Sequence, residues 1–93
     1  MKLYNVCVRI EGANGGLIGK TEVVTGEPED AVLDLLLSYG NLLPEVLDRL
    51  MKWGKELRAV PSTWLFRAGL PGGCILYATG NHRSLHQLQL DEG

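Results

Sequence analysis

The sequence lacks any long uninterrupted apolar stretch, and it contains only two cysteines in 93 residues. A membrane-spanning helix needs about 20 consecutive apolar residues, so we expect no membrane span. The N-terminus alternates apolar and polar side chains and lacks the continuous apolar segment of a secretory signal, so we expect a cytoplasmic protein. In that compartment, Cys7 and Cys74 are expected to be reduced and to pack as small apolar side chains.

Residue sets typical of catalysis or metal binding are also missing. His82 and His86 are four positions apart, which would place them on one face of a helix, with Cys74 as a third candidate ligand. No second cluster completes a metal site, and the sequence leaves open whether the two histidines bind a metal. No serine or cysteine lies in a recognisable nucleophile motif. We therefore expect no cofactor and no enzymatic activity.

The glycine-rich segment 10–21 ends in Gly-Lys-Thr, as a phosphate-binding P-loop does. A P-loop also needs a glycine five positions before Gly19 and a helix directly after the motif. Here Asn14 occupies that position, and the residues that follow Thr21 have the alternation of a strand. Asparagine and glycine adopt positive φ easily, so the segment predicts the turn of a β-hairpin.

Two helices joined by a short connection form the centre of the sequence. Pro28 and Pro44 each suit a first helical position, where the missing N–H of proline would be unpaired in any case. Apolar residues recur at helical spacing after both prolines. Gly40 suits the end of the first helix. Gly54 either ends or weakens the second helix, because Leu57 also fits its apolar stripe.

Strand patterns lie on both sides of this helix pair. Alternation over 2–11 and 17–25 predicts one hairpin, and the segments 62–68 and 74–79 predict a second. The nearly continuous apolar run in 74–79 predicts a central strand covered on both faces.

The remaining segments are less clearly patterned. Gly80 and Asn81 predict a turn, and the segments 55–60 and 85–90 fit either helix or strand. The order β–β–α–α–β–β, with 85–90 as a candidate fifth strand, predicts one α+β domain over residues 1–93. This domain would have two layers, a mainly antiparallel sheet of two hairpins and the central helix pair packed on it.

Charge is distributed unevenly along the chain. Residues 21–48 contain seven acids and no lysine or arginine, whereas residues 49–90 contain six bases and one acid. Part of this polarity follows from helix dipoles, which favour acids at N-termini and bases at C-termini. The acids predict a partner-binding face composed of Asp30, Asp34, Glu45 and Asp48. The bases predict an alternative anion-binding surface composed of Arg49, Lys52, Lys55 and Arg58.

A chain without a catalytic motif acts by presenting a surface. We expect a non-catalytic protein-binding module whose acidic face occupies a basic site on a macromolecular partner, including a nucleic-acid-binding complex. The chain resembles, in being short, acidic and free of motifs, the inhibitors and regulators made by phages and mobile elements, such as anti-CRISPR proteins. The alternative is a nucleic-acid-binding accessory protein that uses the basic segment 49–67. Pairing of the acidic half with the basic half, or of exposed sheet edges, would give a homodimer.

Overall fold

Two β-hairpins and a helix pair form an α+β arrangement in the computed structural model, which describes residues 2–40 and 42–82. The elements in chain order are β1 (Tyr4–Glu11), β2 (Leu17–Thr25), α1 (Pro28–Ser38), α2 (Pro44–Ala59), β3 (Trp64–Gly69) and β4 (Ile75–His82), with a short 3₁₀ turn at Pro71–Gly73. The strand order across the sheet is β2-β1-β4-β3, and each neighbouring pair is antiparallel. The predicted fold class is confirmed.

The glycine-rich segment is the turn of the β1–β2 hairpin, as predicted. The backbone N–H of Gly12 donates to the carbonyl of Gly16 at 2.8 Å, and the N–H of Gly16 donates to Asn14 Oδ1 at 2.9 Å. Gly15 has a φ of 84°, a conformation that favours glycine. Since a strand follows the turn directly, no helix N-terminus is present to hold a phosphate as in a P-loop.

Both helices begin at the predicted prolines. After α1 ends, Gly40 has a φ of 68°, the left-handed conformation that commonly closes a helix. The second helix continues through Gly54 to Ala59, so residues 55–59 are helical. Arg58, in the last turn of α2, contacts Glu29, in the first turn of α1. The two helices are therefore antiparallel neighbours.

One hydrophobic core lies between the helix pair and one face of the sheet. Fully buried leucines from both helices, Leu36, Leu50 and Leu57, meet the sheet in this core. The sheet contributes Tyr4, Val6, Val8, Ile10, Phe66, Ala68, Leu76 and Ala78. The indole N–H of Trp53 donates to the carbonyl of Trp64 at 3.0 Å and ties α2 to β3. This packing produces the predicted two layers.

The other face of the sheet carries no helix within the described residues. For this part of the chain, the prediction that 74–79 is covered on both faces is therefore wrong, although β4 does occupy the predicted central position. The two helices share a short connection and bury their side chains in the same core, so both lie on one side. On the uncovered face, Ile75, Tyr77 and Thr79 remain only half-buried.

The predicted turn at Gly80 and Asn81 is also wrong, because β4 continues to His82. Gly80 pairs with Val6 in β1, and the side-chain amide of Asn5 donates to Asn81 Oδ1 at 3.3 Å. The candidate element at 85–90 lies outside the described residues.

Gly80 supplies the space that α2 needs against β4. A Cβ added there would lie 2.7 Å from Leu57 Cδ2 and 2.9 Å from Trp53 Cζ2. We expect Gly80→Ala to lower the free energy of unfolding by about 1–3 kcal/mol, the usual effect of overpacking a core. Urea denaturation would measure it, with Gly69→Ala as the matched strand control, because a Cβ on Gly69 meets nothing within 4 Å. Equal stabilities of the two variants would contradict the expectation.

Candidate functional site

A cluster of charged side chains joins the start of α1 to the end of α2. Arg58 donates through Nη2 to Glu29 Oε2 at 2.9 Å and through Nη1 to Glu29 Oε1, a bidentate pairing. Nη2 also lies 3.3 Å from Glu27 Oε2, and Nη1 lies 3.3 Å from the carbonyl of Gly54. Glu29 is only 7% exposed. The interaction with Arg58 therefore offsets the free-energy cost of burying the negative charge of Glu29.

The electrostatics of this cluster follow from its burial and its hydrogen bonds. Burial alone would raise the pKa of the Glu29 carboxyl, but the hydrogen bond from Arg58, helped by a backbone hydrogen bond, holds that pKa below its ordinary value. The hydrogen bond to Glu29 raises the pKa of Arg58. Arg58 is thus held within the helix pair by two carboxylates.

The four bases predicted as an anion-binding surface lie on different sides of α2. Arg49 faces β3, where its Nη1 donates to the carbonyl of Arg67 at 2.8 Å. Lys55 and Arg58 border the groove between the helices, on the α1 side of α2. Lys52 is exposed, and it borders the same depression beside β3 as Arg49. The structure therefore separates this set into two pairs, and in one of them Arg58 is already bound to acids.

The four predicted acids are all exposed on the helix layer: Asp30, Asp34, Glu45 and Asp48. Because the helices are antiparallel, the second half of α1 lies beside the first half of α2. Three of the acids, Asp34, Glu45 and Asp48, therefore lie toward the end of the layer at which the helices connect. We call this end, with its three acids, the acidic end.

Exposed apolar side chains accompany the acids at this end. Leu37 is 54% exposed and Leu43 is 51% exposed, and Tyr39 between them is also exposed. Asp30 lies nearer the start of α1, on the border of the interhelical groove with Met51. The acidic end therefore offers apolar contact area next to carboxylates that form no ion pair within residues 2–40 and 42–82, and such a mixture suits a protein-binding surface.

A second charged feature crosses the uncovered face of the sheet. The strand registers place Lys20, Arg9, Tyr77 and Arg67 side by side on β2, β1, β4 and β3. The guanidinium carbons of Arg9 and Arg67 each lie 5.8 Å from the centre of the Tyr77 ring. Neither arginine forms an ion pair with an acid in the described part of the chain. We call Lys20, Arg9 and Arg67 the basic row.

Sequence reasoning missed the basic row because its members are far apart in the chain. Arg9 and Lys20 belong to one predicted hairpin, so the register of that hairpin could have placed them side by side. Arg67 joins them only because β4 lies between β1 and β3, and no local pattern encodes this strand order.

The candidate metal ligands do not converge in the part of the chain that is described. A ring nitrogen of His82 shares a hydrogen bond with the carbonyl of Leu57, and the ring packs edge-on against Tyr4. His86 lies outside the described residues. Cys7 and Cys74 are unpaired thiols, and residues 2–40 and 42–82 contain no group of three or more potential metal ligands.

No protein-family model matches this chain, and no curated protein or solved structure is significantly similar to it. Within the described ranges, no helix has the length and apolar character needed to cross a membrane.

Proposed function

We propose that this protein is a non-catalytic binding module that uses its acidic face to occupy a basic site on a macromolecular partner. The observation that carries the proposal is the placement of Asp34, Glu45 and Asp48 at one end of the helix layer, next to exposed Leu37 and Leu43. Carboxylates attract and orient a basic partner, and the exposed apolar side chains add contact area that becomes buried on binding. Asp30 extends the acidic face along α1.

The class of partner follows from this chemistry. A protein site that normally holds a nucleic-acid backbone presents lysine and arginine side chains at phosphate positions. Exposed carboxylates on a rigid helix pair match such a site in charge, and they make the protein an inhibitor or regulator of a nucleic-acid-binding complex. We propose that it acts in the cytoplasm and originates from a phage or mobile element, as its anti-CRISPR-like character suggests.

Charge reversal at the acidic end tests the proposal. We expect the double variant Asp34→Lys, Asp48→Lys to lower affinity for the partner at least about tenfold, because two attractive charges become repulsive. The partner is captured on immobilised protein from a lysate of the source organism or its host, with and without nuclease. It is identified by mass spectrometry, and its affinity is then measured with purified partner.

The control double variant Glu11→Lys, Glu56→Lys makes the same change in net charge away from the acidic end. It should retain the partner, because Glu11 lies in the sheet and Glu56 lies near the end of α2, beside β3. Loss of the partner from both double variants, or from neither, would remove the support for the acidic face.

A second candidate function is binding of single-stranded nucleic acid. The basic row favours it, because Arg9 and Arg67 lie in line on the sheet face opposite the helices, and Lys20 can exchange its exposed ion pair with Glu22 for a phosphate. This surface includes Arg67, which belongs to the predicted basic segment 49–67. It does not include Arg58, which is bound to Glu29 and Glu27. The same capture separates the two functions: a partner that survives nuclease supports the acidic face, and captured material that disappears with nuclease supports the basic row.

A further inference from the structure

The two edges of the sheet are protected very differently. Strand β3, at one edge, is contacted by α2, whose Trp53 and Arg49 side chains donate to the carbonyls of Trp64 and Arg67. The edge strand β2 is nine residues long, and its side chains on the face opposite the helices are exposed, with Ile18 59% and Val24 47% exposed. A long exposed edge strand offers a row of backbone donors and acceptors to another strand.

The sequence of β2 is complementary to itself. When two copies of β2 are placed antiparallel with Thr21 at the centre, Lys20 of each copy lies opposite Glu22 of the other. The same register places Ile18 opposite Val24, so exposed apolar side chains also meet. Opposite charges and apolar pairs facing each other across strands are stabilising.

We propose that the protein forms a homodimer by antiparallel pairing of β2 with β2 of a second copy, centred on Thr21. The two sheets would join into one eight-stranded sheet, with both helix pairs on the same side. This inference goes beyond the proposed function, because β2 is separate from the acidic end and the dimer would display two such ends.

The charges on β2 also select this register over its neighbours. Only shifts by an even number of residues keep both helix layers on one side, because side chains alternate between the faces of a strand, and the smallest such shift is two residues. A shift in one direction places Lys20 opposite Lys20, and a shift in the other places Glu22 opposite Glu22. Like charges directly opposite each other are destabilising. Isolated charges on an edge normally prevent strand pairing, but this pair of opposite sign favours the Thr21-centred register over these two nearest alternatives.

Sedimentation equilibrium of the full chain over a concentration series tests the dimer. We expect the mass to rise from 10.2 kDa toward twice that value. Lys20→Glu and Glu22→Lys should each weaken the dimer about tenfold or more, because each creates two like-charge contacts. An equimolar mixture of these two variants should associate again, because every contact then joins an acid to a base. The double variant Lys20→Glu, Glu22→Lys should also dimerise.

Matched controls carry the same charge changes on the helix layer. Lys55→Glu and Asp34→Lys should dimerise like the original protein, and Asp34→Lys keeps this test independent of the acidic face. The Lys20–Glu22 ion pair is exposed, so its loss should leave the fold intact, as circular dichroism would show. A constant mass of 10.2 kDa would overturn the proposal, and so would single variants that associate normally or a mixture that stays monomeric.

Discussion

Replacing Gly54 by alanine should lower the free energy of unfolding by about 2 kcal/mol, although alanine is the better helix former. Glu29 packs directly on the α-carbon of Gly54, and an added Cβ would lie 2.7 Å from Glu29 Cγ and closer still to the carboxylate. The whole side chain of Glu29 would have to leave its position. Its bidentate pairing with Arg58 would be lost with it, and a helix propensity gain of about 1 kcal/mol does not offset both effects.

A double-mutant cycle provides the control for this prediction. In a Glu29→Ala background the space above Gly54 is free, so Gly54→Ala should be neutral or stabilising by up to about 1 kcal/mol. Urea denaturation of the four proteins gives the coupling energy between the two positions. If Gly54→Ala had the same effect in both backgrounds, the contact with Glu29 would not be the reason for glycine at this position.

Replacing Arg58 by methionine should lower the free energy of unfolding by about 2–3 kcal/mol at neutral pH. Methionine keeps most of the apolar stem but removes the donors to Glu29, which would remain as a buried charge without a partner. The expected loss is below that for a fully buried pair, because the Arg58 side chain is 37% exposed and solvent screens part of the interaction.

The pH dependence of this loss has a defined sign. In the original protein the pKa of Glu29 lies below that of the unfolded chain, about 4.3, so its stabilisation is present above that pH. The stabilisation is lost as pH falls through the folded pKa. Without Arg58, burial would raise the pKa of Glu29. At low pH the Glu29 carboxyl of the variant would then be protonated, and the cost of an unpaired buried charge would disappear. The difference in unfolding free energy should therefore be large at pH 7 and shrink toward pH 4.

Arg9→Met is the matched control, because Arg9 lies on the uncovered sheet face and forms no ion pair in the described part of the chain. We expect it to change stability little and without this pH dependence. The unfolding free energies of the original protein and of Arg58→Met could instead differ by the same amount from pH 4 to pH 7. That result would show that Glu29 does not need Arg58 to remain ionised.

Local sequence patterns predicted where helices and strands begin and end better than they predicted which residues contact each other across the fold. Pro28 and Pro44 marked the first residues of both helices, and alternation marked the strand Leu17–Thr25, because these signals act within a few residues. Gly54 and Gly80 were misleading for a shared reason. Each glycine is required by a side chain distant in sequence, Glu29 for Gly54 and Leu57 for Gly80, and not by a bend in the backbone.

The surfaces were predicted to different degrees for the same reason. The acids of the acidic end lie on two helices that the sequence identifies as neighbours, so their exposure and proximity followed from helical spacing. The division of Arg49 from Arg58 depends on which side of α2 faces β3 and which faces α1. Packing decides this orientation, and the basic row likewise requires the strand order of the sheet.

The central strands of the sheet come from opposite ends of the described chain. Tyr4 of β1 pairs with His82 of β4, whereas the other strand pairs are hairpins between neighbouring segments. Closing a long loop costs chain entropy, and a high sequence separation between contacting residues slows folding. During synthesis on the ribosome, one edge of β1 must therefore remain unpaired until β4 has emerged.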